Sequence, residues 1–196
     1  MDGPKRTEKE LLRLINEGDE QARYLLYAQY SRYLSAVCSR YIADDEDLKD
    51  VLQESFLKIF RSIGDFGYRG EGSLKAWMSR IVLNESLVWL KQRRHLSFAE
   101  LDDEAMNLPD APPDTEGIPA EAIHRMIRAL PDGYRTVFNL YVIEEKSHRE
   151  IAALLGIKES TSASQLHRAK ALLAAMITQF RNDNDTTDGR LAERHS

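Results

Sequence analysis

Nowhere does this chain alternate apolar and polar residues with the period of two that a half-buried strand needs; its apolar residues recur at helical spacing almost from end to end. The exception runs from about Leu96 to Pro119, where Pro109, Pro112, Pro113 and Pro119 stand among Asp102, Asp103, Glu104, Asp110, Asp114 and Glu116. Such a segment repels itself and holds no core of its own, so it reads as an extended acidic linker. The expected fold is therefore all-α: two small helical domains, at 5–95 and 120–181, joined by a linker at 96–119 and followed by a polar tail at 182–196 expected to be disordered.

Within the first domain, Thr7 and Glu10 can cap a short helix through Ile15 that ends near Gly18. A long helix is expected from Glu20 to Tyr41, with Ala22, Leu26, Tyr30, Leu34, Val37 and Tyr41 as its stripe. Its tyrosines suit amphipathic core edges as well as they suit binding groups. Asp44 to Asp47 favour the positive end of a third helix reaching Ser62, with Lys58 and Arg61 at its negative end. The glycine-rich loop GDFGYRGEG separates it from a fourth helix that starts near Ser73 and ends around the basic run KQRRH.

In the second domain, helical pattern resumes at Glu121 and includes LPDGYRTVFNLYVI, where Tyr134, Val137, Phe138 and Tyr141 recur at helical spacing. Ser147 and Glu150 then form a capping box, Ile151, Leu154 and Leu155 an apolar stripe, and Gly156 a left-handed stop. STSASQLHRAK follows within a few residues, with Leu166, Ala169, Leu172, Leu173 and Met176 as the expected buried stripe and hydroxyls, an amide, His167 and Arg168 expected outside. No Asp or Glu occurs between Ser160 and Arg181 in a chain of net charge −5, so positive charge gathers on this helix. The pair fits a helix-turn-helix that reads DNA; its spacing fits an ordinary helical hairpin with a solvated face equally well.

Composition removes several function classes. At 196 residues, with 30% charged residues, this is the make-up of a soluble globular protein with real cores. No apolar run reaches membrane length, and MDGPKRTEKE has no signal-peptide core, so a cytoplasmic protein without membrane insertion is expected. Net negative charge argues against coating nucleic acid by bulk attraction, so DNA contact needs local basic surface or a larger partner. The lone Cys38 suits a buried small hydrophobe, with a reactive thiol as the alternative. His95, His124, His148, His167 and His195 are scattered and no zinc set is expected. DDEDLKD lacks the glycine and closing glutamate of a calcium loop. Gly67, Gly70 and Gly72 lack the preceding strand and following Gly-Lys-Ser/Thr of a phosphate loop. With no nucleophile elbow or paired-carboxylate cleft, neither an enzyme nor a bound cofactor is expected.

Three segments in order, DLKDVLQESFLKIF, FGYRGEGSLKAWMSRIVLNESLVWLKQRR and LPDGYRTVFNLYVIEEKSHREIAALLGIKESTSASQLHRAK, resemble the second and fourth conserved regions of bacterial extracytoplasmic-function sigma factors. The resemblance covers most of residues 10–177 and finds the linker where that family has one. It implies a dissociable RNA polymerase subunit that selects and opens promoters, of the minimal class with no third conserved region. Asp50, Gln53 and Glu54 match positions that dock on the clamp helices of the polymerase's largest subunit; their spacing shares one helical face, away from Leu48, Leu52, Ser55 and Ile59.

Gly67 to Gly72 match the loop that captures a flipped minus-ten base, where Tyr68 could stack and Arg69 meet phosphate. Asn84 matches an asparagine lining that pocket; it shares a face with Trp77, Ile81 and Val88, and a satisfied buried amide is the alternative. Lys75, Arg80, Lys91, Arg93 and Arg94 would hold the strand's phosphates.

Thr161, Ser162, Ser164, His167, Arg168 and Lys170 form the minus-thirty-five set, with Arg168 suited to a guanine edge and the hydroxyls and Lys170 to phosphates. The chain departs from the family at Ser160 for glycine, Ser162 for valine, Ala163 and Gln165 for basic residues, and Glu145-Lys146 for a Gly-Leu turn. Fewer cations there imply weaker intrinsic minus-thirty-five binding. The resemblance further implies control by an anti-sigma factor, with the acidic linker threading the polymerase near its active centre. Two other functions fit a two-domain helical chain: a helix-turn-helix regulator acting without polymerase, and a helical adaptor that binds no DNA.

Overall fold

The computed structural model describes residues 6–92 and 115–193, with side chains as far as Asp183. The chain divides into two compact units, Met1–His95 and Leu96–Ser196. Every regular element among the described residues is helical. None of these helices is long and apolar enough to cross a membrane.

Unit 1 holds α1 (Glu8–Asn16), α2 (Glu20–Cys38), α3 (Asp45–Ser62), a single 3-10 turn (Ile63–Asp65) and α4 (Ser73–Gln92). Three of the starts follow from local chemistry. The side chains of Thr7, Asp19 and Asp44 each accept from backbone N–H groups one turn into α1, α2 and α3. Helix α2 stops three residues before the expected end. The Ser39 hydroxyl donates to the Ala36 carbonyl at 3.0 Å, and the amides of Tyr41 and Ile42 turn back onto the Cys38 carbonyl, tightening the chain so that both side chains enter the core.

The core lies where the four helices meet. Leu11, Leu26, Leu34, Ile59, Leu74, Met78 and Val82 are fully buried, and the expected α2 stripe faces inward throughout. On α3 the buried side is Leu48, Val51, Ser55, Phe56 and Ile59; Leu52 is only half-buried, because Val51 and Phe56 take the central positions. Small polar side chains let α2 and α4 approach closely: the Ser86 hydroxyl donates to the Val82 carbonyl at 2.8 Å and lies 3.7 Å from Cys38 Sγ. Burial pushes the Cys38 thiol up to about 11, with Ser86 opposing it. Cys38 should consequently resist a thiol reagent at pH 8 in the native protein and react fully in denaturant. Native-state labelling at the denatured rate would place the thiol on an opening surface instead.

Unit 2 holds α5 (Ala120–Ala129), α6 (Asp132–Val142), α7 (His148–Leu155) and α8 (Glu159–Glu193). Leu130, Tyr134, Ala169 and Leu173 form its centre, with Met126, Ile127, Phe138 and Met176 packed around them. Leu172, expected inside, is 37% exposed; Ile177 joins the expected Leu166, Ala169 and Leu173 on the buried α8 stripe in its place. Helix α8 also runs to Glu193, into the segment expected to be a disordered tail. Of the expected linker at 96–119, residues 96–114 lie outside the described residues.

The corner between α5 and α6 is tied by Arg135, which is 2% exposed. Its guanidinium donates to the carbonyls of Arg128 at 3.0 Å and Leu130 at 2.7 Å and to the carboxylate of Asp132. A cation thus sits at the negative end of α5, on carbonyls that the end of a helix leaves unpaired. Burial lowers the Arg135 pKa from its ordinary value, and the charge of Asp132 opposes that shift.

Candidate nucleic-acid and docking interfaces

Asp50, Gln53 and Glu54 all stand exposed on α3, opposite Val51, Ser55 and Ile59. The 3.6-residue period requires this outcome once Ser55 and Ile59 face the core. Beside them lies an apolar groove between α2 and α3, lined by Tyr27, Leu52, Gln53, Phe56, Leu57 and Phe60. Tyr27 packs on Phe56 with ring centroids 4.7 Å apart while remaining 48% exposed. These three polar residues therefore border aromatic surface that the fold leaves in water.

The loop before α4 is held at both ends and exposed at its tip. At its start, Phe66 packs against Trp77 of α4, centroids 5.0 Å apart. At its end, the Ser73 hydroxyl donates to the Gly70 carbonyl at 2.5 Å and accepts from the Arg69 amide at 3.2 Å. Gly70 and Gly72 have φ of 117° and 88°, a region that L side chains rarely enter, so glycine is needed at both. Gly67, Tyr68 and Arg69 between the two anchors are exposed, with the Tyr68 hydroxyl 3.4 Å from Glu71.

Along α4, Arg80, Asn84 and Lys91 recur at i, i+4 and i+11 and all are exposed, so they share one face. Asn84 is thus a surface amide, which removes the buried alternative. Trp77 and Ile81 are half-buried on the same side and Val88 is 43% exposed. The Phe66–Trp77 contact joins this strip to the loop, with Asn84 about 10 Å further along the helix axis. Lys75 is not part of it: its ammonium lies 4.0 Å from the ring centre of Tyr33 on α2. Arg93 and Arg94 lie outside the described residues.

One residue at this surface escapes sequence reasoning. Glu8, in the first turn of α1, is 2% exposed, and its carboxylate accepts from the backbone N–H groups of Leu74 at 3.0 Å and Lys75 at 2.9 Å. The Tyr30 hydroxyl donates to the same carboxylate at 3.4 Å. Burial, followed by the charge of Glu8, pushes the Tyr30 phenol up to about 12. The only local signal was an acid at a helix start, which explains itself as a complement to its own helix dipole.

In unit 2, Ser147 and Glu150 close the expected capping box, and both bonds from Ser147 hold the Glu150 carboxyl below its ordinary value. Gly156, at φ 72°, turns the chain into α8. Glu145 has a φ of 52° at the turn where the family carries glycine, a conformation that costs a side-chain-bearing residue of order 1 kcal/mol. On α8, Thr161, Ser164 and Arg168 fall at i, i+3 and i+7 on the outer face, with His167 beside them. The Ser164 hydroxyl donates to the Thr161 carbonyl at 3.0 Å.

Two of the residues expected outside are inside. Ser162 is fully buried, with its hydroxyl 2.9 Å from His148 Nδ1, and the His148 ring stacks on Tyr141 at 4.8 Å. It ties α7 to α8 and cannot touch DNA. Gln165, the expected surface amide, is 2% exposed, and its Oε1 has no hydrogen-bond partner among the described residues. Lys170 lies on the other side of α8 from Thr161 and Arg168 and lines a groove with Ile123, Phe138 and Leu173. The outer face is therefore narrower than the sequence suggests.

The family model described as Sigma-70 region 2 matches residues 26–95, and that described as Sigma-70, region 4 matches residues 120–173. The ECF RNA polymerase sigma-E factor of Haemophilus influenzae is 30% identical over 183 residues, covering 87% of this chain and 95% of that protein. The sigma-E factor of Salmonella typhimurium is 29% identical over 176 residues, covering 84% of this chain and 91% of that one. A solved structure of CnrH in complex with the cytosolic domain of CnrY aligns over 88% of this chain and 97% of its own, at 22% identity and a TM-score of 0.44.

Proposed function

The chain belongs to the extracytoplasmic-function sigma factors, and from that premise we propose that its two units divide promoter recognition between them while α3 holds it on RNA polymerase core. Asp50, Gln53 and Glu54 dock on the clamp helices of the largest subunit. Tyr68 and Arg69 at the loop tip, with Asn84, capture and line a flipped base of the minus-ten nontemplate strand; Arg80 and Lys91 follow its phosphates. Thr161, Ser164, His167 and Arg168 read the minus-thirty-five element. The acidic residues 96–119 thread the polymerase, and an anti-sigma factor covers these surfaces in the uninduced cytoplasm. The protein would make and break no covalent bonds itself.

The observation that carries this reading is the joined surface of loop and α4. A glycine-containing tip exposing an aromatic ring and an arginine is anchored, through Phe66 and Trp77, to a strip bearing an exposed amide and two cations. An extruded base needs a π-face, an edge partner and nearby positive charge, and this surface offers all three.

With the purified chain and core enzyme, specific initiation is expected from a cognate promoter, and poor binding of promoter DNA by the chain alone. Asn84→Ala should reduce permanganate-reactive opening at the minus-ten element. Arg168→Ala should weaken minus-thirty-five recognition by on the order of 1–3 kcal/mol if the guanidinium meets a base edge. Equal weakening on every minus-thirty-five sequence would make Arg168 a phosphate clamp. Tight specific duplex binding by the free chain, unaffected by core, would instead establish a regulator that works without polymerase.

A further inference from the structure

We infer that Glu8 of α1 is a positioning residue for the minus-ten loop: its buried carboxylate caps α4 from another helix and so fixes where the loop ends. The inference rests on the loop's proposed role and adds a residue to it from outside both the loop and α4.

A helix normally takes its first side-chain acceptor from the residue just before it. Before α4 that residue is Gly72, which has no side chain and a φ of 88°. The loop's backbone path thus removes the ordinary cap at the place where the loop is joined to the rigid helix. Ser73, the next residue, uses its hydroxyl on Gly70 and Arg69, inside the loop. The unpaired N–H groups of Leu74 and Lys75 are met by Glu8, at 3.0 and 2.9 Å, from 66 and 67 residues away in sequence. An anion at this end also complements the helix dipole.

Glu8 is itself held. Thr7, its neighbour, caps α1, and the Tyr30 hydroxyl donates to the carboxylate from α2. Around the site, Lys75 is drawn over the Tyr33 ring, and the Ser79 hydroxyl donates to the Tyr33 hydroxyl at 3.3 Å. The first turn of α4 is thereby bound to both α1 and α2. Loop residues 67–71 hang between this turn and the Phe66–Trp77 contact, so a shift of the turn moves the exposed tip against the Asn84 strip.

Glu8→Gln keeps the shape of the side chain but replaces one acceptor oxygen with a donor that faces an N–H. In the full chain, amide exchange at Leu74 and Lys75 should accelerate by about tenfold, with the interiors of α2 and α3 unchanged. Bound to core, the variant should lose about tenfold in its preference for the cognate minus-ten base, both on duplex promoters and on a template whose minus-ten region is already mismatched open, and retain its core affinity. Wild-type protein and Tyr68→Ala are measured beside it.

A variant matching wild type while Tyr68→Ala loses minus-ten preference would overturn the inference and leave the loop's role standing. Wild type with no minus-ten preference would remove that role and the inference together. Loss of preference accompanied by weakened core binding and faster amide exchange in the interiors of α2 and α3 would show that Glu8 only holds the fold. Should Glu8→Gln not fold, Glu8→Asp, which keeps the charge but withdraws it by one methylene, undergoes the same comparison.

Discussion

Replacing Arg135 with alanine is expected to destabilise unit 2 by about 3 kcal/mol, the lower end of the cost of removing one partner from a buried ion pair, because the Asp132 side chain is 26% exposed and keeps some water. The substitution removes a donor from the carbonyls of Arg128 and Leu130 and from the carboxylate of Asp132 at once, in a corner where the lost side chain is 2% exposed. It also removes the buried stem of the side chain together with its guanidinium. A helical unit of this size has roughly 3–9 kcal/mol to lose at 0.05–0.15 kcal/mol per residue, so little would remain. With a urea slope of about 1 kcal/mol/M, its transition should fall by about 3 M. Arg135→Lys should recover only part of the loss, because one ammonium cannot span three acceptors held in a fork. The transition of unit 1 should not move. A midpoint for unit 2 within about 0.5 M of wild type would mean that the corner is held by Pro131 and the Leu130 packing alone. A variant whose unit 2 is unfolded should fail at minus-thirty-five-dependent promoters while still binding core.

That residue illustrates what could be read from the sequence and what could not. Thr7, Asp44, Ser147 and Gly156 announce helix ends because capping acts over three or four residues, and the structure places a cap or stop at each. The α2 stripe was legible because one period governs it throughout. Arg135 lies in plain helical sequence, and its partners on α5 come within reach only after the chain has turned at Pro131. Glu8 is harder still, since its backbone partners on α4 lie 66 and 67 residues away, beyond α2 and α3.

The error at Ser162 is of another kind, because its burial was legible. Ser162 precedes Leu166 by four residues, Ala169 by seven and Leu173 by eleven, all of which face the core. Helical arithmetic puts it inside whatever its polarity, and Gln165, four before Ala169, follows the same rule. Residue type outweighed position: a run of serines looks like surface. His148 supplies what the type demands, a partner for a hydroxyl at a place where the family has valine. Asn84 is the converse case, an amide on a face with Trp77, Ile81 and Val88 that looks like core and is exposed.

The double substitution Gln53→Ala with Glu54→Ala is expected to weaken binding to core polymerase by at least about 30-fold, or about 2 kcal/mol, while leaving the fold unchanged. Both side chains are exposed on α3 and form no hydrogen bond or ion pair among the described residues. Truncating them should therefore shift stability by no more than about 0.5 kcal/mol. In a complex the same pair would lie at the edge of the aromatic groove of Tyr27, Phe56, Leu57 and Phe60, where a partner excludes water from polar contacts and makes them worth more. The charge component is separable. Glu54→Lys should slow association most at low salt and less as ionic strength rises, whereas Gln53→Ala should act mainly on dissociation. Titration of labelled core with each variant, alongside thermal melts, measures both effects. Core affinity within twofold of wild type for the double variant would take α3 out of the interface. A melting temperature that falls with affinity would mean that these side chains support the helix.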